Sequence, residues 1–386
     1  MRVNPRLLTL LCYGAMLSLA IGINLLPVFL TTLGMLYGGA GGLTQEELGR
    51  LGAITFAGLV AGIVLTGPLA DRCGAKPFAL LGNILTGASL LAAAFAPGYK
   101  SLACALFFLG LGAGVLDMVL SPVVAALNPH RRVAAMNWLH SFYCVGAVVT
   151  ILVGTVVLHA GYGWRFACLV FLPFPATFSV AFAFLSFPPL AVEGTHISAR
   201  SLFRQRWFRL ALVAIFLGGA AELGMAQWLP AYAENELGYP TWIGGAALLA
   251  FSVAMAIGRM VIGAAGKKWD PYVMMSWGCG LTTVLFLCGS FLPIHSLALA
   301  ACIVAGFTGS GLWPTMLAVT ADRHPEGGAS MFGLLAMFGN ADGIWMPWTV
   351  GWIADRWGLH WGLAMSSLAP ALLLYLIFEL RSKRTT

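Results

Sequence analysis

Apolar residues run along this chain in long blocks separated by short polar loops. A helix needs about 20 predominantly apolar residues to cross the hydrocarbon core of a bilayer. The blocks near 7–35, 48–70, 78–96, 101–126, 135–159, 165–187, 208–232, 241–264, 272–292, 296–320, 329–352 and 359–380 predict twelve such spans. Irregular backbone facing lipid has no water to satisfy it, so runs of this length read as helices. The longest polar stretch, from Pro188 to Arg209, lies in the middle. The expected organisation is an all-α membrane protein: twelve transmembrane helices in two pseudo-symmetric six-helix bundles, 1–187 and 208–386, joined by a cytoplasmic linker, 188–207.

The two halves repeat. At an offset of 197, Gly146, Gly154, Gly161 and Trp164 match Gly343, Gly351, Gly358 and Trp361. At 196, Gly62 and Gly67 match Gly258 and Gly263; at 203, Asn24, Leu26 and Pro27 match Gln227, Leu229 and Pro230. Such duplication is typical of carriers that rock two bundles around a central site.

Composition agrees with the pattern. Hydrophobic residues make up 60% of the 386, charged residues only 9%, and mean hydropathy is +0.88. Soluble proteins carry roughly 25% charged residues, so the lipid bilayer must cover most of this surface. The net charge of +7 sits in short loops rather than on one basic face, which argues against a nucleic-acid partner. Sixteen Lys and Arg fall on the side of the two termini; only Arg50, Lys100, Arg165 and Arg356 fall on the other, with Arg259 inside a span. The positive-inside rule then puts both termini in the cytoplasm. The first apolar run is too long for a cleaved signal, and the lack of a targeting segment fits a bacterial inner membrane. The eight Cys form no CxxC pair, so no metal is expected. With no nucleophile elbow and no phosphate loop, neither an enzyme nor a cofactor is expected. A monomer is expected.

Three acids lie within spans: Asp117, Glu222 and Asp342. Charges in a bilayer are costly and usually functional, and a buried carboxyl that gains and loses a proton suits ion coupling. Helical spacing groups Gly114, Asp117 and Ser121 on one face, and Asn137, His140 and Cys144 on another. Asn24 and Gln227 each stand three residues before a proline. Trp228, Trp313 and Trp345 lie deeper than the interfacial tryptophans, and flat aromatic faces beside amides suit a sugar. Carriers of anions need central positive groups; Arg259, the one arginine inside a span, falls near its cytoplasmic end, so the cavity is expected to be acidic and neutral.

After the second span comes Gly67-Pro-Leu-Ala-Asp71-Arg72-Cys-Gly74-Ala-Lys76, with a weaker counterpart from Gly258-Arg259 to Lys268. These residues resemble the loop signature of the major facilitator superfamily, and the likeness in span number, linker and loops covers nearly the whole chain. The resemblance implies a gating role for Gly67, Asp71, Arg72, Gly74, Lys76 and Arg259. Two stretches, Gly110 to Pro122 and Glu222 to Tyr232, are similar to the fucose–galactose–glucose:proton symporter branch. That branch implies proton coupling by an acid in the fourth helix, here Asp117. Its acid on the first helix has no counterpart, since that span offers Asn24.

The expected function is secondary transport of a small neutral polyhydroxylated solute, hexose-like, coupled to H+ or Na+. Asn24, Gln227, Trp228, Trp313, Asn137, His140 and Trp345 would contact the solute; Asp117, Glu222 and Asp342 would carry the ion. Two alternatives are a proton-coupled exporter of lipophilic or cationic compounds and a non-transporting membrane sensor.

Overall fold

The computed structural model describes residues 4–128, 132–188, 199–265, 269–324 and 328–382. Among them the chain is helical, with no strand. The helices are α1 (Pro5–Val28), α2 (Leu30–Tyr37), α3 (Gln45–Cys73), α4 (Ala75–Ala94), α5 (Tyr99–Leu127) and α6 (Arg132–His159). Next come α7 (Trp164–Phe171), α8 (Pro173–Phe184), α9 (Ala199–Arg204), α10 (Arg206–Ala226), α11 (Leu229–Asn235) and α12 (Thr241–Ala265). The last are α13 (Pro271–Phe291), α14 (His295–Gly309), α15 (Leu312–Arg323), α16 (Gly328–Trp357), α17 (Leu359–Ser366) and α18 (Leu368–Ser382). Eleven stretches are long and apolar enough to cross a membrane. The twelfth predicted span falls within the 30 residues of α16.

Several predicted spans are built from two helices, and proline explains where they part. Proline has no N–H to donate to the carbonyl four residues back, and its ring crowds that carbonyl. Pro230 opens the ladder between α10 and α11, Pro314 between α14 and α15, and Pro370 between α17 and α18. The carbonyls left without a helical donor are those of Ala226, Ser310 and Ser366. Gln227 therefore lands at a helix break, as the C-cap of α10.

Two units emerge. One contains Met1–Leu43 and Ile54–Glu193; the other contains Thr44–Ala53 and Gly194–Thr386. In the first unit, Gly58 and Gly62 of α3 press on Phe107 and Leu111 of α5, while Gly110 and Gly114 of α5 press on Thr55 and Leu59 of α3. A Cβ at any of the four would collide with backbone, so this small-residue seam lets the two helices touch main chain to main chain. The repeat survives in the turns: Gly161 and Gly358 both take positive φ, 77° and 91°, a region that L side chains rarely enter. Each then launches a helix at Trp164 or shortly before Trp361.

Candidate functional site

In the first unit, α1, α5 and α6 assemble the polar groups. Asn24 of α1 is half-buried; its Nδ2 donates to Ala20 O at 2.9 Å and, at 3.4 Å, to the Tyr143 hydroxyl of α6. Asp117 of α5 is half-buried, and the His140 imidazole of α6 lies near it. Thus α6 brings His140 and Tyr143, one turn apart, toward the two predicted residues of α5 and α1. At the far end of α5, Asn128 Nδ2 donates to Thr9 Oγ1 at 3.1 Å and Val124 O at 3.0 Å, tying α5 to α1. The Asn137 side chain lies outside the described residues, as do those of Asp71 and Arg72. Of the loop signature, Gly67 lies against α5, where an added Cβ would stand 3.2 Å from the Met118 methyl. Gly74 takes φ 80° where α4 begins, and Lys76 Nζ donates to Ala183 O at 2.8 Å in the last turn of α8.

The second unit holds the denser cluster. Arg259 of α12 pairs with Glu222 of α10, Nη2 to Oε2 at 2.8 Å. Its Nε donates to Ser310 O at 3.2 Å, the carbonyl that Pro314 leaves without a helical donor. Gly258 lets this happen: a Cβ there would press on Ser310 and Phe307 O, so α12 lies close against the α14 break. Arg259, expected beside the loop counterpart, is thus held between an acid and a helix break.

Asp342 of α16 is fully buried, and among the described residues no side chain hydrogen-bonds to its carboxyl oxygens. It presses on α10 at Gly219, where a Cβ would stand 2.7 Å from Oδ2. Glu222 is one turn farther along α10 and acts on Asp342 electrostatically. Trp313 of α15 is half-buried, with its indole nitrogen against Gly339, one turn before Asp342. Glu222, Arg259, Trp313 and Asp342 therefore form one neighbourhood built from four helices.

The other predicted residues of this unit lie farther along α16, Trp345 one turn beyond Asp342 and Trp228 against Pro347. Gln227 is buried, with its amide nitrogen against Gly52. Trp228 is fully buried between Gly49 and Gly351, and its Nε1 donates to Pro347 O at 3.1 Å. Its indole is enclosed by packing, so in this arrangement it braces the helices rather than offering a face to a solute. Trp345 is 55% exposed, with its ring 6.1 Å from Trp348. Three residues escaped sequence reasoning. Asp355 accepts from the N–H groups of Gln45 at 2.7 Å and Glu46 at 2.8 Å, capping α3. Glu46 accepts from Trp348 Nε1 at 3.1 Å. Glu236 accepts from Leu359 N at 2.8 Å, capping α17. Their only sequence signal is an acid beside a helix end, which a topological loop shows equally.

The sequence profile of the Major Facilitator Superfamily matches residues 6–347 and 245–385. A Bacillus subtilis protein carrying the name of a niacin/nicotinamide transporter is 26% identical over 81% of this chain and 81% of its own length. The gentisate transporter of Corynebacterium glutamicum is 26% identical over 74% of this chain and 67% of its own. The xylose transporter XylE of E. coli, solved in a partially occluded inward-open conformation, superposes with a TM-score of 0.79 at 12% identity, covering 97% of this chain and 99% of that one.

Proposed function

This chain belongs to the major facilitator superfamily, and on that premise we propose that it carries a small neutral polyhydroxylated solute, hexose-like, by alternating access coupled to protons. It is a multi-pass membrane protein with the all-α, twelve-helix fold of that family. The observation that carries the coupling is the Asp342 carboxyl: fully buried, with no side-chain hydrogen-bond partner among the described residues, and near Glu222, an acid that already has its cation. An ionised carboxylate in that setting is costly, and a protonated one is not. Asp117, near His140 in the first unit, would be a second coupling acid, in the other half of the chain. A proton taken up from one face and released to the other drives the solute when both share one cycle.

The solute's neutrality follows from the charges. Arg259, close to the end of its span, pairs its charge with Glu222, so this neighbourhood offers an anion no spare cation. Within the second unit Gln227, Trp313 and Trp345 would supply an amide and aromatic surface for hydroxyls and C–H faces, and within the first Asn24 would supply an amide. Both termini would lie in the cytoplasm, and Gly67–Lys76 would form the gating loop on that side.

A second reading is a small aromatic carboxylate, favoured by the niacin/nicotinamide and gentisate relatives. Protonation of Glu222 would then release Arg259 to the solute's carboxylate. A thermal-shift screen on the purified protein separates the two readings, since a ligand that binds only the folded state raises apparent stability. We expect hexoses to raise the unfolding midpoint and niacin and gentisate to leave it unchanged. The reverse result overturns the neutral-solute reading.

A further inference from the structure

We propose that the corner between α9 and α10 is a seat for an anionic phospholipid, with the guanidinium groups of Arg200, Arg204, Arg206 and Arg209 taking the headgroup phosphate. The inference is independent of the solute.

The sequence places four arginines and no lysine between positions 200 and 209. A guanidinium is a planar fork that matches two phosphate oxygens at once, which an ammonium does not. The chain leaves helical geometry at Gln205, φ −79° and ψ 120°, so α9 and α10 meet at one corner. Arg200 and Arg204, four residues apart, share a face of α9, and both are exposed. Leu202, on the opposite face, is fully buried. The Phe203 ring lies 6.5 Å from that of Phe208 on α10 and 6.1 Å from that of Phe338 on α16. These contacts fix α9 with its arginines outward. Past the corner, Arg206 and Arg209 are exposed on α10, while Trp207 and Phe208 between them are buried.

Other arginines of the chain have found partners. Arg259 pairs with Glu222 and Arg50 with Glu46, and Arg356 lies over the Trp352 ring. Close to the corner, Arg323 lies over the Trp207 ring, 4.9 Å from its centroid. Among the described residues, the guanidinium groups of Arg200, Arg204 and Arg209 have no hydrogen bond and no ion pair. Arg206 stands 3.8 Å from Glu379 of α18, beyond hydrogen-bond distance, with its side chain 69% exposed. No acid occurs from Ala199 to Ala221. Gathered like charges repel one another, and a bound anion offsets that cost.

Depth decides between a lipid and a soluble anion. The membrane-spanning stretch of α10 begins at Arg206, and that of α18 ends at Ser382. The arginines therefore stand at the edge of the hydrocarbon core, where headgroup phosphates lie. Beneath them the surface turns apolar: Val213, one turn beyond Arg209, and Tyr375 and Phe378 of α18 are exposed. Charge above and apolar surface below fit the headgroup and acyl chain of one amphiphile. Basic clusters at the end of a span attract anionic lipids in this way.

Thermal unfolding of the full-length protein in a neutral detergent, followed as lipid is added, tests the seat. Dioleoylphosphatidylglycerol should raise the unfolding midpoint to saturation, and less so in high salt. Dioleoylphosphatidylcholine and inorganic phosphate should leave it unchanged. Arg204→Gln/Arg209→Gln should raise the phosphatidylglycerol concentration at half effect by about tenfold. Arg204→Lys/Arg209→Lys keeps the charges and should recover part of that loss. Arg6→Gln/Arg381→Gln removes as much charge from other exposed positions and should respond as the wild type does. Equal weakening in the two glutamine pairs would mean diffuse attraction and would refute the seat. A response to phosphatidylcholine or to inorganic phosphate as large as that to phosphatidylglycerol overturns the proposal, and so does a lysine pair that binds no better than the glutamine pair. Bound phosphatidylglycerol counted by native mass spectrometry makes the same comparison where a variant's own stability changes.

Discussion

Two aspartates on α16 sit 13 residues apart, about 20 Å along one helix, in opposite circumstances. Asp355 is exposed and saturated: two backbone N–H groups at the start of α3 donate to it, where the positive end of a helix dipole favours an anion. Asp342 is sealed, and among the described residues no side chain donates to its carboxyl oxygens. Native interiors pair nearly all their buried polar groups, so an unpaired one on a helix that elsewhere satisfies its acids calls for a functional reason. On the proposed reading, satisfaction goes with a structural role at Asp355 and its absence with proton chemistry at Asp342.

The largest effect should come from Asp342→Asn. Counterflow of solute across proteoliposomes should persist while accumulation driven by a pH gradient disappears, because the variant can cycle but cannot carry a proton. A smaller loss should follow Arg259→Gln, which leaves Glu222 without its cation. Removing one partner of a fully buried pair costs roughly 3–5 kcal/mol, and this pair is partly exposed, so about 1–3 kcal/mol is expected. The Glu222→Gln/Arg259→Gln double variant should recover part of the lost unfolding midpoint, and a double-mutant cycle measures the coupling. Gly219→Ala would set a methyl 2.7 Å from Asp342 Oδ2; overpacking of this kind costs roughly 1–3 kcal/mol. It should also shift the pH dependence of transport, which a change remote from Asp342 would not. Asp355→Ala should lower stability by about 1 kcal/mol, the usual worth of a helix cap, and leave proton coupling intact. If it uncoupled the protein as Asp342→Asn does, the contrast between the two aspartates would collapse.

The spans and the family were legible in the sequence because both are written in long-period features: apolar block length, loop charge, and glycines repeated across halves. The acids were legible because a carboxyl in an apolar run stands out by itself. Arg259's partner was not, since Glu222 lies 37 residues away and no periodicity joins α10 to α12. The clue was Pro314, which frees the Ser310 carbonyl that Arg259 takes, but a proline states only that a carbonyl is released. Trp228 was placed by depth, and depth does not distinguish a ring facing a cavity from one enclosed between Gly49 and Gly351. Asp355 went unnoticed because the helix it caps, α3, begins some 310 residues earlier.

Solute-driven proton movement bears most directly on the account. A hexose that stabilises the protein is added outside proteoliposomes in weakly buffered medium, and external pH is recorded. Wild-type protein should alkalinise the medium as solute and protons enter together, and the Asp342→Asn variant should give no signal while still exchanging solute. Solute entry without any pH change in the wild type, or an undiminished signal in the variant, would contradict it.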